Sequence, residues 1–81
     1  MVIFQRYYEG RIIDNQNFLS LIEEENRVFQ KMRENHQGNW KIQEACREIL
    51  FYNSRELKYI MEEIENDKWE INYLKKEFDE L

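Results

Sequence analysis

Proline is absent from the 81-residue chain, and glycine occurs only at Gly10 and Gly38. Average usage would give about four prolines in this length. The chain is therefore short of the turn residues that a multi-turn β fold needs. A collagen repeat and a Pro/Gly-rich disordered chain are excluded on the same ground. Cys46 is the only cysteine, so no disulfide can form within the chain. His36 is the only histidine, and it falls in a turn-like stretch where a solvated side chain is expected. No apolar run approaches the ~18 residues of a membrane span. Met1 to Arg6 shows no basic segment leading into a long apolar one, so no signal peptide is expected. A lone thiol suits a reducing compartment, which gives a cytoplasmic expectation. There is no CxxC, HExxH, DxDxDG or Gly-rich phosphate loop. No catalytic, cofactor-binding or metal residue is expected, and the chain reads as a non-enzyme. Cys46 reads as a small buried hydrophobe. Glu23-Glu24-Glu25 and Glu62-Glu63 are adjacent on helices and so diverge, as solvated faces do.

What is present is charge and aromatic surface. There are 17 acidic side chains against 12 basic ones, a formal net charge of -5. That balance opposes binding to nucleic-acid phosphates and to anionic membranes. It leaves a basic protein surface as a suitable partner. Five Phe, five Tyr and two Trp are more than a two-helix hairpin easily buries. Aromatic residues are enriched at protein interfaces. A single domain of this size hides only about 60% of its unfolded surface. Such chains often gain stability from oligomerisation or a partner.

Three segments can be drawn. Residues 1–13 are apolar and aromatic, interrupted by Gly10, and suit either a strand or a helix. With no convincing second strand to pair with, a helix or an extended arm is expected there. Residues 14–37 read as the first helix, with Asp14 as N-cap and Phe18, Ile22, Phe29 and Met32 on one face. Asn35 to Asn39 is the one good turn signal. There Gly38 would take the left-handed position that ends a helix, and Asn39 would cap the next. Residues 40–81 would form the second helix, about 63 Å long against about 36 Å for the first. Folded antiparallel, its end would overhang from near residue 65. The stripe Ile42, Ala45, Ile49, Tyr52 slips by five residues to Leu57, so a kink or break at Asn53-Ser54 is as reasonable as a smooth helix. The expected fold is all-α: an antiparallel helical hairpin with a long, possibly kinked second helix and a coiled-coil-like C-terminal half.

Beyond the slip the pattern is heptad. With Leu57 at a, that row continues as Ile64, Ile71 and Phe78, and the d row is Ile60, Asp67, Leu74 and Leu81. Position g is Glu56, Glu63, Glu70 and Glu77, while Met61, Lys68 and Lys75 stand at e. In a parallel dimer, Glu63 would face Lys68 and Glu70 would face Lys75. The same stripe would also serve one helix packed within its own bundle. Trp69 and Tyr73, four residues apart, lie away from the seam and make a second apolar face. The expected partner-binding residues are Leu57, Ile60, Ile64, Trp69, Ile71, Tyr73, Leu74 and Phe78. The expected function is a small helical protein-binding module, an adaptor, inhibitor or chaperone-like partner. It would self-associate as a dimer or take a helical partner, without touching nucleic acid or membrane directly.

The stretch Leu50 to Ile60 resembles the signature of the small sporulation aspartyl-phosphate phosphatases, S-Q-E-L-D on the second helix of a hairpin. Ser54, Glu56 and Leu57 match, and Lys58 stands at the family's functional aspartate. The resemblance implies a response-regulator-binding protein without that aspartate. The overall design is also similar to the acidic helical hairpins that accompany type VII secretion toxins, with Gly38 and Trp40 near the turn but no W-x-G. That similarity implies binding to a helical targeting domain. A third alternative is an acidic phage-type inhibitor of a basic nucleic-acid-binding protein.

Overall fold

One turn signal between two long stretches free of proline folds the chain once. The computed structural model describes residues 3–79, with the side chains of 4–78. Two helices make it up: α1, Ile3–Asn35, and α2, Trp40–Asp79. They pack antiparallel into a rod of 65 × 16 × 12 Å. No helix among the described residues is long and apolar enough to cross a membrane.

Residues 3–13 are not an arm. They are the start of α1, and Asp14 lies in the helix interior rather than at a cap. Gly10 is exposed there, with open space where a Cβ would be. An exposed glycine costs a helix roughly 0.5–1 kcal/mol, too little to break it when the residues on both sides are packed. The added turns remove the expected overhang. Phe4 of α1 meets Phe78 of α2 with ring centroids 5.8 Å apart. Met1, Val2 and the last expected seam residue, Leu81, lie outside the described residues.

The turn is closed by side chains. Asn39 Oδ1 accepts a hydrogen bond from the Ile42 backbone N–H at 3.2 Å, so Asn39 caps α2 as its position suggests. Gly38 does not take a left-handed conformation. The last carbonyls of α1 are met instead by Gln43, whose amide donates to the backbone oxygens of Arg33 at 2.8 Å and His36 at 2.9 Å. A side chain that satisfies these orphan acceptors removes the need for a glycine C-cap.

Nor does α2 break at Asn53-Ser54. Ser54 points outward and donates to the Phe51 carbonyl. Asn53 is buried, and its amide donates across the hairpin to Asn26 Oδ1 at 2.8 Å and Glu25 Oε1 at 3.0 Å. The apparent slip is a polar residue in a row that never changes register. Cys46, Asn53, Ile60 and Asp67 are all buried and seven residues apart. Half-buried Leu50, Leu57 and Ile71 run beside them with buried Ile64 in the same row. On α1, half-buried Tyr8, Asn15 and Phe29 and buried Ile22 repeat at the same interval, alongside Ile12, Leu19, Asn26 and Arg33. Ile22, Ile60 and Ile64 form the core cluster, with Ile12, Leu19 and Leu57 packed against it.

Candidate functional site

The seam of 57–78 meets the chain's own first helix. Ile60 and Ile64 are buried against Ile22, and Leu57 packs on the same cluster. Ile71 and Leu74 are half-buried on that stripe. Phe78, Trp69 and Tyr73 are exposed. Trp69 and Tyr73 stack on each other, ring centroids 5.2 Å apart and nearly parallel, on the outer side of α2. Asp67, the charged seam residue, is 4% exposed. Arg11 of α1 lies over it, with Nε 3.3 Å from Asp67 Oδ2, and also pairs with Glu63. The contact to Asp67 is electrostatic, since Oδ2 accepts no hydrogen bond among the described residues. The hydrogen bond from Arg11 to the Tyr7 hydroxyl raises the guanidinium pKa. Partial desolvation lowers it, and the Asp67 charge and the Glu63 hydrogen bond raise it again. Arg11 therefore stays cationic at any working pH.

Fourteen large hydrophobic side chains are exposed among the described residues, whereas the buried ones are Ile22, Ile60 and Ile64, with the smaller Cys46. The exposed ones are unevenly spread. A groove of about 470 Å³ opens between the helices, lined by Phe18, Leu21, Ile22 and Glu25 of α1 and by Tyr52, Asn53 and Glu56 of α2. Helical spacing extends it both ways. Val28 and Met32 follow Leu21 and Glu25 by seven residues, and Ile49 and Ile42 precede Glu56 by seven and fourteen. Toward the other end, Arg11 precedes Phe18 by seven and Glu63 follows Glu56 by seven, and these two residues are in contact. The same rows thus face each other along the rod. The result is a shallow trough. Leu21 lines one side of the groove and Tyr52 the other; by helical spacing Val28 continues the line of Leu21, and Tyr59 and Tyr73 that of Tyr52, each of them exposed. Sequence reasoning missed this surface because it needs both helices in register. A signal for it was the heptad row of Tyr52, Tyr59 and Tyr73, spaced by seven and fourteen residues.

A second concavity of about 530 Å³ includes Leu57 and Met61, but all its lining residues belong to α2. It is a gap between neighbours on one helix. Of the residues that resemble the phosphatase signature, Ser54 and Lys58 are exposed on that side and Glu56 is half-buried on the trough side. His36 is exposed in the turn and Cys46 is buried and unpaired, so the two are not brought together. No group of acidic, His or Cys side chains among the described residues is placed to hold a metal ion.

No family model matches the chain, and neither a curated protein nor a solved structure is measurably similar to it.

Proposed function

We propose that this chain is a non-enzymatic protein-binding module that docks its partner along the trough between α1 and α2. The observation that carries this reading is the excess of apolar surface on that one flank. Phe18, Leu21, Val28, Met32, Tyr52 and Tyr59 are all exposed there. Together they leave on the order of 500 Å² of apolar area open. That is at the upper end of what a monomer ordinarily exposes. It is most of the about 800 Å² that one side of a standard interface covers. The fold does not need these residues, since its contacts run through Ile22, Ile60 and Ile64. Tyr73 and the stacked Trp69 extend the rim toward the chain ends and serve as aromatic anchors, the residue type that dominates binding hot spots. The seam residues Leu57, Ile60, Ile64, Ile71 and Leu74 act behind this surface by holding the helices in register. The buried free thiol suits a cytoplasmic setting.

The test is selection of a displayed library of helical segments against the immobilised chain. Binders should be enriched, and they should fail to bind a Leu21→Gln/Tyr52→Gln variant whose helix content and melting are unchanged. A library that yields no binder ends the reading.

A further inference from the structure

The charges along the trough say what should lie in it. On α1 the rows that border it run through Arg11, Phe18, Glu25 and Met32, and through Tyr7, Asp14, Leu21 and Val28. On α2 they run through Ile42, Ile49, Glu56, Glu63, Glu70 and Glu77, and through Ala45, Tyr52, Tyr59, Asn66 and Tyr73. These rows hold six carboxylates (Asp14, Glu25, Glu56, Glu63, Glu70, Glu77) and a single cation. That cation, Arg11, is already engaged by Glu63 and the buried Asp67. At the groove, Glu25 and Glu56 stand over a floor of Ile22 and Asn53, between Phe18, Leu21 and Tyr52. Glu25 gives one oxygen to Asn53 and keeps the other. No ion pair among the described residues involves Glu25, Glu56, Glu70 or Glu77.

Resting on the docking role above, we infer that the trough takes an amphipathic helix of another protein that carries Lys or Arg beside its apolar stripe. The apolar stripe lies on Phe18, Leu21 and Tyr52, and a long cationic side chain reaches the carboxylates of Glu25 and Glu56. Its methylene stem covers apolar surface while its head meets the charge. Further cations two and three heptads along from Glu56 meet Glu70 and Glu77. The result is a three-helix arrangement in which the guest supplies the missing sign. A second copy of this chain does not fit, because two troughs face to face would set the same carboxylates against each other with no cation to separate them. Complementary charge of this kind fixes register and speeds association.

Two synthetic amphipathic helices test this. Both carry the same leucine stripe. One has Lys and Arg along its edges, the other Glu. Each is titrated against the labelled full chain by fluorescence anisotropy. The cationic helix should bind at least tenfold tighter than the acidic one, and its affinity should fall as salt rises. A Glu25→Gln/Glu56→Gln variant, which keeps an acceptor for Asn53, should weaken the cationic helix at least fivefold and leave the acidic one no worse. Equal binding of the two helices, or a preference for the acidic one, overturns the inference. So does light scattering that shows a dimer whose trough is protected from hydrogen exchange. If the displayed library enriches helices without Lys or Arg, docking stands and only the partner's chemistry is wrong. If it enriches none, both fall.

Discussion

The two flanks of the hairpin share one core and one pair of helices, yet they are built differently. One flank has apolar rims, six carboxylates and one engaged cation. The other sets Glu9, Gln16, Glu23 and Gln30 of α1 opposite Arg47, Ser54, Met61, Lys68 and Lys75 of α2. There both signs are present, acidic on α1 and basic on α2, and Lys68 lies 3.7 Å from Glu65. Folding asks for the buried rows alone. What stands beside those rows is free to vary, within the few tenths of a kcal/mol that exposed pairs contribute. The mixed flank is what solubility alone would produce. The apolar, acidic flank is not, and its composition reads as the imprint of a partner.

The comparison can be broken or sharpened in four ways. The largest effect is expected from Ile60→Ala, which opens a cavity in the core behind both flanks. It should cost about 2–5 kcal/mol and abolish the cooperative melt seen by circular dichroism. Next is Asn53→Ala. It removes the amide that ties α2 to Asn26 and Glu25, and a loss of about 1–3 kcal/mol is expected in urea unfolding. A cost below half a kcal/mol would mean that this polar layer does not hold the helices in register. Third is the flank contrast itself. Leu21→Gln/Tyr52→Gln should weaken a selected helix at least tenfold, whereas Phe51→Gln/Met61→Gln on the opposite side should change its affinity less than threefold. Both pairs are exposed, so neither should shift stability by more than about 0.5 kcal/mol per residue. Equal losses from the two pairs would erase the distinction between flanks. The smallest is Gly10→Ala, which points away from both. It should raise stability by about 0.5–1 kcal/mol and leave binding unchanged.

Much of the fold was readable before any coordinates. The absence of proline, the turn at 35–39, the Asn39 cap and the burial of Cys46 follow from local chemistry, and local chemistry is what a sequence displays. What failed or stayed open was each judgement that turned on a distant neighbour. At Asn53 a kink and a smooth helix were equally reasonable because its partners, Asn26 and Glu25, are 27 and 28 residues away. Gly10 looked like an interruption because the contacts that hold residues 4–12 in place come from the far end of α2. Gly38 looked necessary because nothing local announces that Gln43 will reach back to cap α1. The heptad of 57–78 was visible, but its occupant was not. A hydrophobic stripe states that it must be covered and does not state by which helix. The trough was less legible still, since it belongs to neither helix alone and exists only once both are in place.

The Gln43 clamp makes the bend replaceable. Because α1 is finished by an amide donated from the first turns of α2, the bonds that close the turn run through His36 and Asn39 and leave Gln37 and Gly38 out. Doubling such a connector costs only about 0.6 kcal/mol in closure entropy. A reporter tag or a chromophore could be spliced in at this end of the rod, far from the Phe4–Phe78 contact, and the hairpin would still zip shut beneath it.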